Sequence, residues 1–129
     1  MSAIITKQKF LEMQEQRTTA KIKPTIDLIV EMFNSAIEND QYVVREHSGA
    51  VSRKGILFEY IVPQNVAVSF ARELARICAC SESELFSATL KQQFIASGWG
   101  GIDMSSLSLK EIQTDETQVN LVLQGYVFF

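Results

Sequence analysis

Apolar side chains recur at three- and four-residue steps in some stretches of the chain and at two-residue steps in others, and this change of period predicts where helices give way to strands. Residues 65 to 98, NVAVSFARELARICACSESELFSATLKQQFIASG, read as two consecutive helices. Ala67, Phe70, Ala71, Leu74, Ala75 and Cys78 share a face of the first, with Asn65 as its cap. Ser81 followed three residues later by Glu84 is a capping box, in which the hydroxyl takes an amide of the first turn and the carboxylate returns to the cap amide. The pattern predicts helices over 66–79 and 82–97.

Upstream, Thr6 can cap a helix over residues 6–22, but only Phe10, Leu11 and Met13 supply an apolar stripe there. Residues 1–23 are therefore expected to be a weak helix, or an arm that orders on a partner. Pro24 should end it, because proline disfavours helical geometry at Lys23 and has no amide to donate. Thr25 then caps a core helix over 25–39, with Ile26, Ile29, Val30, Phe33, Ala36 and Ile37 on one face and Asp27 at its positive end.

Tyr42 to Arg45 is β-prone, the glycine-containing loop HSGAVSRKG follows, and ILFEYIV over 56–62 reads as a largely buried strand stopped by Pro63. These strands are expected to pair antiparallel, with Arg53 and Lys54 near the tip. Gly98 is a natural left-handed helix stop, and WGGIDM a link beyond it. Alternation in SLSLKEIQ and the run QVNLVLQGYVFF predict two more strands around the turn TDET. In the last strand Val119, Leu121, Leu123, Val127 and Phe129 share one face, and Val122, Tyr126 and Phe128 share the other. That strand is expected to be buried on both sides or covered by a partner. The fold class expected is α+β, with the helix pair and helix 25–39 packed on a small, mainly antiparallel sheet, all within one domain over 24–129.

Length and composition fit this picture: 129 residues, 47% apolar and 21% charged, suit one soluble globular domain. No apolar run reaches the ~20 residues that cross a bilayer. The N-terminus lacks the pattern of a secretory signal, so a cytoplasmic protein with no membrane association is expected. Cys78 and Cys80 are then reduced, at least one of them filling the core. The net charge of −3 gives no general attraction to nucleic acid or anionic lipid. Its distribution is uneven. Residues 1–30 hold five basic side chains against three acids, and residues 101–129 hold one against four.

No constellation in the sequence points to catalysis, a cofactor or a metal. His47 stands beside Ser48, but adjacency in sequence is not the geometry of a nucleophile and its base, and a loop histidine is the simpler reading. His47 with Cys78 and Cys80 gives at most three zinc ligands, and Cys-x-Cys on a helix turns its sulfurs to different faces. The glycines around Trp99 follow a helix, whereas phosphate loops follow a strand and open a helix. Trp99 itself is either an interface anchor or, the reading preferred, a plug at the helix end.

Residues 74–90, LARICACSESELFSATL, resemble the helix-turn-helix of DNA-binding regulators. Ala75 takes the small buried position, Ala79-Cys80-Ser81 the turn, and Leu85 and Leu90 face inward. More broadly, helix 25–39, strand 56–62, the helix pair and the final two strands follow the order of a winged helix. Ala79 stands where that family usually has glycine. Glu82 and Glu84 lie where a recognition helix approaches DNA. The resemblance implies a non-enzymatic, macromolecule-binding protein, with Arg72, Arg76, Lys91, Arg53 and Lys54 as contacts to nucleic acid or another partner. The alternative is a homo-oligomeric assembly protein that docks through its aromatic C-terminal strand, with Trp99, Tyr126, Phe128 and Phe129 at the interface.

Overall fold

The computed structural model describes residues 6–47, 53–79, 83–113 and 115–129. Among these residues three helices and four strands follow in the order α1 (Lys7–Glu38), β1 (Tyr42–His47), β2 (Arg53–Ile61), α2 (Gln64–Cys78), α3 (Ser83–Ala96), β3 (Gly101–Gln113) and β4 (Val119–Phe128). The strands form one antiparallel sheet in the order β1-β2-β4-β3. The fold is α+β, as the change of period predicts. It keeps the order helix, strand, helix pair, two strands, with β1 added at the edge.

All three helices pack on one face of the sheet. Ile22, Ile26, Ile29, Met32, Phe33 and Ala36 of α1 meet Phe70 and Leu74 of α2 and Phe86, Leu90 and Phe94 of α3 over Ile56, Phe58, Leu123 and Val127 of the sheet. Phe33 is the hub. Its ring makes edge-to-face contacts with Phe94 at 4.9 Å, Phe58 at 5.1 Å and Trp99 at 5.2 Å between centroids, the arrangement that aligns a positive ring edge with a negative face.

Pro24 does not end the first helix. α1 runs unbroken for 32 residues with Pro24 inside it, and the Thr6 hydroxyl accepts the Lys9 amide as its N-cap. Thr25 is thus a buried interior residue and not a cap. Proline removes one backbone bond, to the carbonyl of Ala20, but packing of Ile22, Ile26 and Ile29 on both sides of it holds the axis together. Asp27, displaced from any helix end, pairs instead with Lys23 at 3.0 Å on the exposed face.

Two further boundaries shift. α2 begins at Gln64 after Pro63 with no side-chain cap bond, so Asn65 is not its cap. Its inward residues are Ala67, Phe70, Leu74 and Ile77, whereas Ala75 and Cys78 are exposed. Ala67, Phe70 and Leu74 keep the expected face, and the helix turns only far enough to bury Ile77 in place of Ala75 and Cys78, because Ile77 buries more apolar surface than a thiol does. Ser81, with the expected capping box, and Cys80 lie outside the described residues.

The end of α3 matches expectation closely. Gly98 adopts φ +96°, the Gly98 amide bonds the Ile95 carbonyl at 3.0 Å, and the Trp99 amide reaches Phe94 at 3.0 Å. This paired closure is a Schellman motif, which needs a left-handed residue that glycine supplies without strain. β3 then starts at Gly101, so Ile102 to Met104 belong to a strand and not to a link.

Candidate functional site

The predicted contact residues lie on three elements, Arg72 and Arg76 on α2, Lys91 on α3, and Arg53 and Lys54 at the start of β2. Arg72 is exposed on α2 and Lys91 on α3, and neither forms an ion pair among the described residues. Arg76 is engaged: its Nε donates to Glu73 Oε1 at 2.9 Å and its Nη2 bonds the same oxygen. On α2 the charge of Arg76 is thus met by a carboxylate, while Arg72 stands exposed. Lys54 is exposed at the β1–β2 hairpin tip, its carbonyl taking the Phe129 amide at 3.2 Å. The backbone of Arg53 begins β2 opposite His47, which ends β1 and is not in the loop. In the helix-turn-helix comparison, Leu90 and Phe86 face the core, Leu85 is half-buried, and Ala75 is on the outside.

The C-terminal strand is internal to the sheet. β4 is paired on both sides, to β2 and β3, so it has no edge to offer another strand. Tyr126 is 2% exposed and belongs to the fold's interior, a correction to its expected place at an interface. Phe128 is half-buried against it, the rings 5.4 Å apart. Trp99 plugs the helix end, edge-on to Phe33 and stacked on Phe129 at 6.1 Å. Of these four, Phe129 alone is largely exposed, at 56%.

Two unexpected surfaces emerge instead. The first is the N-terminal half of α1. Burial in this helix starts at Ile22, Thr18 and Thr19 are half-buried, and Leu11, Gln14, Arg17 and Lys21 border an open depression shared with Leu85 of α3, while Phe10 is 56%, Leu11 51% and Met13 37% exposed. Lys7, Phe10, Leu11, Gln14, Arg17 and Lys21 recur at helical steps on one stripe, which is apolar at its start and cationic throughout.

The second lies on the sheet face opposite the helices. Half of that face is closed by Tyr126 and by the β3 bulge between Asp103 and Ser108, where the Tyr126 amide bonds the Ser106 hydroxyl at 2.8 Å. The other half is a trough of about 430 Å³ crossing all four strands, floored by Leu57 and Val122 and walled by Val43, Ile61 and Ile112. Its lining carries two carboxylates, Asp40 and Glu59, and no cation among the described residues. Gln124 extends from the same face, its Oε1 buried with no hydrogen-bond partner among the described residues.

Both surfaces are legible in part from the chain alone. The exposed valines of β1 follow from an edge strand with apolar residues on both faces, and Phe10, Leu11 and Met13 stand close together in the sequence itself. What joins Val43, Ile61, Ile112 and Val122 is strand order. At the β3–β4 turn Asp115 accepts the Thr117 amide at 2.8 Å and its hydroxyl at 3.0 Å, and these bonds hold its carboxyl below the ordinary range by favouring the charged form. Among the described residues no group of His, Cys, Asp and Glu gathers as a metal site, and no helix is long and apolar enough to cross a membrane. Comparison with protein-family models, curated protein sequences and solved structures finds no match for this chain.

Proposed function

We propose that this chain is a small macromolecule-binding protein that works by assembly, with a second copy of itself as its first partner. One observation carries the reading: fifteen residues of α1 continue as helix ahead of its first buried residue, Ile22, and leave Phe10, Leu11 and Met13 exposed. A helix of this length is marginal in water by itself, and three large apolar side chains on it gain nothing until something covers them. Docking therefore falls to this arm and to the open sheet face, in place of the C-terminal strand that the fold uses internally. Sedimentation of the full chain from about 1 to 100 µM tests it. Mass rising above 14.5 kDa with concentration supports assembly, and a constant single-copy mass overturns it.

A second reading, a nucleic-acid-binding regulator that uses α2 and α3, is favoured by the helix, strand, helix pair, two-strand order and by the exposed Arg72 and Lys91. Salt-dependent retardation of duplex or single-stranded probes, flattened in Arg72→Ala/Lys91→Ala, supports it. No retardation at low salt removes it.

A further inference from the structure

The arm and the trough match each other in charge and in apolar content. The arm's stripe offers Phe10 and Leu11 flanked by Lys7, Arg17 and Lys21; the trough offers Val43, Ile61 and Ile112, 61%, 51% and 45% exposed, beside Asp40 and Glu59. They cannot meet within one copy. α1 is packed on the helix-covered face of the sheet through Ile22 to Ala36, and the trough opens on the opposite face. A second copy resolves this without bending α1.

We propose that the N-terminal helical arm of one copy docks in the apolar, carboxylate-lined trough of a second copy. The inference rests on the assembly reading above and names its contact. Opposite charges set the approach, with the arm's cations drawn to the rim where Asp40 and Glu59 stand. The apolar side chains then supply the affinity, Phe10 and Leu11 filling the depression over Leu57 and Val122. Reciprocal exchange of two arms makes a closed two-fold pair in which each contact occurs twice. It also covers Val43 on β1, an edge strand that would otherwise expose apolar side chains beside unpaired backbone.

The test uses the full chain and two variants altered only at exposed positions: Phe10→Asp/Leu11→Asp in the arm and Ile61→Lys/Ile112→Lys in the trough. Circular dichroism and melting first establish that both fold, and Glu59→Lys serves as a milder trough variant should Ile61→Lys/Ile112→Lys unfold. Sedimentation is expected to give about twice 14.5 kDa for the parent chain and the single-copy mass for each variant. An equimolar mixture of the two should recover the two-copy mass, since one intact arm then faces one intact trough. A peptide of residues 6–23 added in excess should shift the parent toward one copy. A parent that associates while the arm variant associates equally overturns the arm–trough contact and leaves the assembly reading standing. Variants that fail alone and also fail when mixed point to like-with-like pairing and overturn the contact in the same way. A parent that stays at one-copy mass to about 100 µM overturns both, whether or not the arm then binds vesicles of anionic lipid.

Discussion

Tyr126, on the central strand β4, donates its hydroxyl proton to the backbone carbonyl of Arg45 on the edge strand β1 at 2.5 Å, reaching across the whole width of β2. It crosses at Gly55, which lies opposite Arg45 on one side and Phe128 on the other. An edge strand has one paired neighbour; this bond gives β1 a second anchor. The same ring fills the space above a glycine, an aromatic–glycine pairing that restores apolar cover where a strand lacks a side chain.

Tyr126→Phe keeps the ring and removes the bond. The expected loss is about 1 kcal/mol, the usual net contribution of one hydrogen bond, here at a part-buried site. Amide exchange in β1 should quicken more than exchange in β4. Unchanged exchange at residues 42–47 would show that the hydroxyl does not anchor the edge.

Gly55→Ala is expected to destabilise the fold by about 1–3 kcal/mol through overpacking. A Cβ there would press on the Val127 carbonyl oxygen and lie 2.9 Å from Tyr126 Cε1. Denaturant midpoints measure it. In the background of Tyr126→Ala the penalty should shrink only in part, because the Val127 carbonyl stays in place, and fully additive penalties would mean that this carbonyl alone excludes the methyl.

Pro24→Ala should raise the unfolding midpoint. An interior proline disfavours a helix by roughly 3 kcal/mol relative to alanine. Stiffening of the unfolded chain returns up to about 1 kcal/mol of that. A net gain of about 2 kcal/mol is expected. A lower midpoint would mean that the chain depends on a bend at this position.

Trp99→Ala removes a half-buried ring from Phe33 and Phe129, at an expected cost of about 2 kcal/mol, below that of a fully buried tryptophan. The mass in solution should not change. A loss of association with unchanged stability would move Trp99 from plug to interface anchor.

Much of the architecture is readable from the chain because it depends on short-range periods. The α+β class, the hairpin of β1 and β2 and the closure at Gly98 all follow from spacing of three to four or of two residues, and from glycine's access to positive φ. The tertiary structure decided what such periods cannot carry. Pro24 stays inside α1 because the core beneath Ile22 and Ile26 outweighs the lost backbone bond, a balance set by residues far along the chain. Ile77 in place of Cys78 turns inward because the depth of its site is fixed by the other helices and the sheet. The C-terminal aromatics could have faced a partner or the interior with the same pattern; placing β4 between β2 and β3 settled it. Strand order likewise brought Tyr126 over Gly55, closing half of the outer face, and left Val43, Ile61 and Ile112 gathered on the other half. Register across a sheet is a non-local property, so a trough built from four strands exists in no single stretch of the sequence.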